Sequence, residues 1–148
     1  MCAGIMILYT SWEVKIMKIQ KSAEDYLETM LMLEEEHGYI RSIDIAKHLG
    51  VTKPSVSYAV KRLKESGYIN MESNGPITLA PPGRKIAKRI YERHKALTAF
   101  LTLLGVDPEL AEEDACKIEH DISHDTYVAI CKYVNNNSDI RISNYDDE

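Results

Sequence analysis

The sequence predicts a mainly α-helical chain: an N-terminal winged helix-turn-helix with a small β-hairpin wing, followed by an all-α C-terminal part. Three observations predict it. A short capped segment and a longer capped one are separated by Gly50-Val51, which is the helix-turn-helix pattern. Two short strand-like runs flank Asn74-Gly75 straight after it, the pattern of a hairpin. Beyond Pro81-Pro82-Gly83 the apolar residues fall at helical spacing.

Taken in order, the first helix is expected from Ser22 to Glu36, with Ser22 as N-cap and Asp25 as its capping-box partner. Tyr26, Leu27, Met30, Leu31 and Leu33 form its buried stripe, and Gly38 ends it. The second runs from Ser42 to Leu49, with Ser42 as cap and Ile43, Ile45, Ala46 and Leu49 inward. Thr52 caps the third, Pro54 sits in its first turn, Val56, Val60 and Leu63 face the core, and Gly67 stops it. Tyr68–Met71 and Pro76–Leu79 are the strands of the wing. A long helix then reaches about Leu104, with Ile86, Ile90, His94, Leu97, Leu101 and Leu104 as one stripe. Asp107 caps a fifth helix that reaches about Ile122, with Ala111, Ala115, Ile118 and Ile122 inward. Ser123 caps a sixth through Tyr133, with Tyr127, Ile130, Cys131 and Val134 apolar, and Asn135-Asn136-Asn137 is expected to end the fold. The expected division is an extension at 1–20, a winged helix-turn-helix domain at 21–82, a helical domain at 83–136 and an acidic tail at 137–148.

Composition narrows the function. With 45% hydrophobic and 28% charged residues, the chain reads as globular rather than disordered or collagen-like. No apolar run approaches the roughly 20 residues that cross a bilayer, so no membrane is expected as a partner. Cys2, Cys116 and Cys131 are too widely spaced for a disulfide framework, and Cys2–Tyr9 lacks a basic leader, so a cytoplasmic location is expected. The net charge of −5 hides a strong segregation of sign. Arg41–Glu65 and Arg84–Lys95 are basic, whereas Asp107–Asp125 carries eight acids against Lys117 alone. Such blocks suit two partners, one polyanionic and one cationic.

The third helix would present Thr52, Lys53, Pro54, Ser55, Ser57, Tyr58, Lys61 and Arg62 around its buried stripe. Short hydroxylated residues at a helix start approach bases and phosphates closely, Tyr58 reaches a base edge or thymine methyl, and Lys61 and Arg62 supply phosphate charge. A solvated basic helix explains the charge alone; the ordered set of caps, turn and hairpin favours double-stranded DNA as partner.

Residues of metal-ligand type occur in three places. Asp25 and Glu28 share a face of the first helix at i, i+3. His94 interrupts the stripe of the long helix, and Cys116, Glu119 and His120 fall within one turn of the fifth. Singly, Asp25 is a capping acid, His94 a core histidine and Cys116 a small hydrophobe. Together, carboxylates, imidazoles and a thiol need a cation to offset their desolvation, and mixed O/N/S donors suit a divalent transition metal.

From Ser22 to Val134 the chain resembles the metal-dependent repressors of the diphtheria toxin repressor and manganese transport regulator family. The resemblance rests on Glu24-Asp25-Tyr26-Leu27-Glu28, Asp44-Ile45-Ala46 through Ser55-Val56-Ser57, Arg93-His94 and Cys116-Lys117-Ile118-Glu119-His120, in that order. It implies a helical metal-binding and dimerisation domain after the winged helix, and a homodimer that binds a palindromic operator when loaded with Mn²⁺ or Fe²⁺ (Co²⁺ or Zn²⁺ in vitro). The implied role is repression of metal-uptake genes rather than catalysis. It also implies Asp25, Glu28, His94, Cys116, Glu119 and His120 as metal ligands. Manganese-type members resemble this chain at Asp25 and Glu28 but carry a carboxylate at the place of Cys116, whereas iron-type members carry the cysteine without the Asp/Glu pair. A thiolate disfavours Mn²⁺ relative to Fe²⁺, Co²⁺ or Zn²⁺. The alternatives are a metal-independent winged-helix regulator and a small metallohydrolase, the latter without a nucleophile motif or His-Glu-x-x-His in the sequence.

Overall fold

The computed structural model describes residues 11–73 and 75–142, with side chains from Lys21 onward. Its elements are α1 (Ser11–His37), α2 (Ser42–Leu49), α3 (Lys53–Glu65), β1 (Ile69–Met71), β2 (Ile77–Leu79), α4 (Pro81–Leu103), α5 (Pro108–Ile118) and α6 (His124–Asn137). The mainly helical architecture with a two-stranded antiparallel hairpin is the one the sequence predicts.

The first helix starts earlier than expected. It is already under way at Ser11, so residues 11–20 are helical and Ser22 lies in the helix interior. An interior serine has no orphan N–H to cap, and the propensity penalty is well below 1 kcal/mol. Asp25, relieved of a capping role, points elsewhere, as shown below. Residues 1–10 lie outside the described residues.

In α2 the cap is Arg41, not Ser42: its backbone is extended (φ −122°, ψ 143°) and no side chain caps the helix. Its guanidinium pairs instead with Asp44 in the first turn (Nε–Oδ2 2.7 Å, Nη2–Oδ1 3.2 Å). Eight residues give this helix one narrow buried stripe, so Ile45 is fully buried while Ile43, expected inward, is 47% exposed. Gly50 turns the chain at φ 64°, a left-handed conformation that favours glycine. Thr52 caps α3 as predicted, accepting from the Ser55 N–H at 3.3 Å, and Val56, Val60 and Leu63 are buried.

The wing pairs Ile69 with Leu79, Asn70 with Thr78 and Met71 with Ile77. The strands are one residue shorter at Tyr68 and Pro76 than expected. Asn74, half of the predicted turn, lies outside the described residues; Gly75 N–H donates to Glu72 O at 2.8 Å. Ile77 also bridges to Ile40, tying the wing to the α1–α2 loop. The wing packs closely on α4, since a Cβ at Gly83 would lie 2.0 Å from Tyr68 O.

The buried residues of α4 are Gly83, Ala87, Ile90, Arg93, Ala96 and Leu97. Ile90 and Leu97 lie on the predicted stripe, but Leu104 is 59% exposed, because small residues carry the close helix contacts and the stripe drifts round the helix. The fifth helix ends at Ile118 rather than Ile122. Its buried stripe runs Ala111, Ala115, Glu119, and Ile118 is exposed, so a carboxylate occupies the inward place expected for an isoleucine. Ser123 caps α6, which passes Tyr133 and reaches Asn137. The fold continues beyond the asparagines: Asn135 Oδ1 accepts Ile142 N–H at 2.8 Å and Asn135 Nδ2 donates to Ile142 O at 3.1 Å. Ile142 is buried in a C-terminal core with Ala96, Tyr127, Cys131 and Val134. A larger core gathers Leu27, Met30, Ile45, Val56, Leu63, Ile69 and Ile77 from the N-terminal half. No described helix is long and apolar enough to cross a membrane.

Candidate metal centre and nucleic-acid interface

Three elements converge between the two cores. Consecutive turns of α1 present Glu24, Asp25 and Glu28; α4 presents Arg89, Arg93 and His94; and the turn after α5 carries Glu119 and His120, with Cys116 in the last turn of α5. Although α5 ends at Ile118, Glu119 keeps helical backbone (φ −59°, ψ −28°) with its N–H on Ala115 O, so its carboxylate meets Cys116 on one face as the sequence suggested. The turn swings only His120 away from Cys116, toward Asp25 and Glu24 of α1. Arg93 anchors this turn by donating to Ile122 O at 2.7 Å, with its guanidinium over the Tyr127 ring.

Glu119 is the centre of the arrangement and is fully buried. Its Oε2 lies 2.9 Å from His94 Nδ1, and its Oε1 lies 3.3 Å from His120 Nε2. His120 Nε2 is 2.7 Å from Asp25 Oδ1, and its Nδ1 is 2.7 Å from Glu24 Oε2. The other oxygen of Glu24 accepts from Arg89 Nη2 at 3.1 Å. Donor atoms thus gather in two trios, His94–Cys116–Glu119 and Asp25–Glu119–His120, each within 4.8 Å and sharing Glu119. Five of the six sequence-predicted residues are in them. Glu28 lies beside Glu119 and His94 but outside both trios.

The electrostatics follow from burial. Burial, together with the neighbouring Glu119, pushes the Glu28 carboxyl up to about 8, so it keeps its proton at neutral pH. Burial also opposes ionisation of Glu119, but hydrogen bonds from His120 and His94 outweigh it and hold this carboxyl below its ordinary value. For His120 burial acts to lower the imidazole; its bonds to Asp25, Glu119 and Glu24 win and raise it to about 11. His94 is raised through its bond to Glu119. Cys116 is exposed as a residue, but partial desolvation of its thiol and the surrounding carboxylates of Glu119, Glu28 and Asp25 push it up to about 11.

This donor set fits a divalent transition-metal ion. Glu28 Oε1 and Glu119 Oε1 are buried without a well-aligned hydrogen bond among the described residues, an arrangement that is costly without a cation. Two imidazoles, three carboxyls and a thiol match the mixed preferences of such ions rather than the all-oxygen shells of Ca²⁺ or Mg²⁺. Sequence reasoning quoted Glu24 within a motif without assigning it a role, and missed Arg89. Glu24 carried the weak signal of sitting next to Asp25; nothing in the pattern of α4 joins Arg89 to a glutamate 65 positions away.

The candidate nucleic-acid face is on α3. Thr52, Lys53, Pro54, Ser55, Ser57, Tyr58, Lys61 and Arg62 are all exposed. Thr52 Oγ1 and Ser55 Oγ are 2.9 Å apart, which organises the helix start. The Arg62 guanidinium lies over the Tyr58 ring and donates to its hydroxyl at 3.3 Å, so the two side chains form one unit.

Comparison with known proteins accords with both faces. Residues 18–75 match the family "Iron dependent repressor, N-terminal DNA binding domain", and residues 80–139 match "Iron dependent repressor, metal binding and dimerisation domain". The HTH-type transcriptional regulator MntR of Bacillus pumilus is 43% identical over 102 residues, 69% of this chain and 71% of that protein. The transcriptional regulator MntR of Salmonella typhimurium is 39% identical over 110 residues, 74% of this chain and 70% of that protein. Among solved structures, a manganese-dependent transcriptional repressor in complex with manganese superposes with a TM-score of 0.70 at 26% identity, covering 76% of this chain and 52% of that one. The IdeR structure from T. acidophilum gives 0.69 at 26% identity, covering 76% and 53%. The chain therefore spans about half the length of these solved proteins. With both domain families matched in order along one chain, it belongs to the iron-dependent repressor family, whose members are metal-dependent, DNA-binding transcriptional regulators and not enzymes.

Proposed function

We propose that this repressor acts in the cytoplasm as a homodimer on a palindromic operator, controls manganese- or iron-uptake genes, and takes Asp25, Glu28, His94, Cys116, Glu119 and His120 as its metal ligands. One observation carries the reading: residues of α1, which belongs to the DNA-binding half, meet residues of α4 and the turn after α5 around the shared carboxylate of Glu119. A divalent ion bound there supplies positive charge to carboxylates that burial leaves under-compensated. Asp25 and Glu28 then hold α1 against His94 and His120, which fixes how the DNA-binding half sits on the dimerising half. In a homodimer this sets the separation of the two α3 helices, and half-sites one helical turn apart accept only one such separation.

Thr52, Lys53, Pro54, Ser55, Ser57, Tyr58, Lys61 and Arg62 are the proposed DNA contacts, with Lys53 and Lys61 serving phosphate and the Tyr58–Arg62 pair serving base edges. The relatives named MntR favour manganese. Cys116 pulls the other way, since a thiolate ranks Fe²⁺, Co²⁺ and Zn²⁺ above Mn²⁺. We therefore place Mn²⁺ and Fe²⁺ as the physiological candidates, with Co²⁺ and Zn²⁺ competent in vitro.

The test is operator binding measured across Mn²⁺, Fe²⁺, Co²⁺ and Zn²⁺, with a chelator control. Metal is expected to tighten binding about 5- to 150-fold, the span of a coupling of roughly 1–3 kcal/mol. His94→Ala or Glu119→Ala is expected to abolish this stimulation while leaving a folded protein by circular dichroism. A full metal response in either variant overturns the ligand assignment, and DNA binding indifferent to chelator overturns the metal-linked mechanism.

A further inference from the structure

We infer that Glu24 is a positioning residue: braced by Arg89, its carboxylate accepts the Nδ1–H of His120 and fixes that imidazole with Nε2 turned toward Asp25 and Glu119. The inference rests on the metal reading above and adds to it a residue outside the ligand set.

The geometry argues it in three steps. His120 stands on a turn rather than a helix, so regular backbone does not by itself hold its ring, and both ring nitrogens are engaged in opposite directions. Nδ1 is 2.7 Å from Glu24 Oε2, while Nε2 is 2.7 Å from Asp25 Oδ1 and 3.3 Å from Glu119 Oε1. Nε2 is thus the nitrogen that faces the second trio of donors. Glu24 is in turn buried, has its second oxygen bonded by Arg89 Nη2 at 3.1 Å, and belongs to neither trio of donor atoms. A ligating histidine whose other N–H is held by a carboxylate has its tautomer and ring orientation set in advance, and loss of such a partner typically lowers metal affinity 10- to 100-fold. Here that partner comes from α1 and its brace from α4, so the ring is set by two elements other than its own.

The pair Arg84–Glu34 supplies a control. It joins the same two helices with equally good geometry (2.7 and 2.9 Å) but touches no member of the trios. The experiment measures Co²⁺ affinity of the full chain by competition with a metal-sensitive dye, for wild type, Glu24→Ala, Glu24→Gln and Glu34→Ala. In parallel, ¹⁵N-imidazole NMR of the Zn²⁺-loaded protein reads the His120 Nδ1–H. Glu24→Ala is expected to weaken binding about 10- to 100-fold and to lose or shift that resonance. Glu24→Gln, whose amide oxygen still accepts the N–H, should restore most of the affinity, and Glu34→Ala should leave both readouts unchanged. Affinity of Glu24→Ala within about threefold of wild type, or equal losses in all three variants, overturns the inference while leaving the metal site standing. Undiminished affinity in His120→Ala overturns the metal reading, and this inference with it.

Discussion

At neutral pH the Glu28 carboxyl holds a proton and its neighbour Glu119 does not, although both are buried on the same side of the site. The difference lies in their partners: Glu119 has two imidazoles against it, at 2.9 and 3.3 Å, whereas Glu28 is buried against the carboxylate of Glu119 itself. Folding the metal-free protein therefore takes up a proton at Glu28. The stability contributed by the neutral form is fully present below the ordinary carboxyl value and is lost as pH rises through about 8. Glu28→Gln mimics the protonated side chain. In chelator, wild type is expected to lose stability to denaturant from pH 5 to pH 8, with Glu28→Gln showing a flatter profile, while the same variant loses metal affinity. A wild-type profile that rises over this range would contradict the assignment of the proton. At this scale the sequence was informative about residue types, since carboxylates, imidazoles and a thiol out of place on apolar stripes are visible as such. It was silent on the pairing of Glu24 with Arg89, because their meeting depends on how α1 and α4 lie together.

Individual elements fared differently at their ends than at their centres. Thr52, Asp107 and Ser123 cap helices as their side chains suggest, because each follows an irregular segment and meets real orphan N–H groups. Ser22 has the same chemistry and caps nothing, because a helix already runs through it. Ile118 and Ile122 extended the apolar period of α5 on paper, yet Glu119 takes the inward place; a period counts hydrophobicity and cannot register a carboxylate stabilised by the imidazole of His94 on α4 and of the adjacent His120. Gly83 shows tertiary control most directly. Proline and glycine together read as a break, but the glycine is in α4 because the wing backbone lies against it, with Tyr68 O where a Cβ would be. Gly83→Ala must move backbone, not a flexible side chain. It is expected to destabilise the protein by about 1–3 kcal/mol, measured by denaturant unfolding, and to loosen the wing, seen as faster hydrogen exchange at Ala80, whose N–H bonds to Tyr68 O at 3.0 Å.

For the whole molecule, the acidic balance of the chain conceals a division into a basic reading face and an acidic C-terminal half, and the site lies where the two meet. On the proposed ligand set, metal entry would displace protons from Glu28, His120 and Cys116, all of which are held protonated at neutral pH. Metal affinity is therefore expected to rise as pH increases from 6 to 8. Titration calorimetry in buffers of different ionisation enthalpy would show net proton release; release of none would refute it. The unbroken α4 adds a mechanical consequence. Its 23 residues make a rod roughly 34 Å long, so each degree of tilt carries one end about 0.6 Å relative to the other. The rod rests on the wing at Gly83, bears Arg89, Arg93 and His94 at mid-length, and is rooted in the C-terminal core at Ala96. A tilt of a few degrees at mid-length would thereby reach the wing, by leverage alone, as a shift of about 1–2 Å.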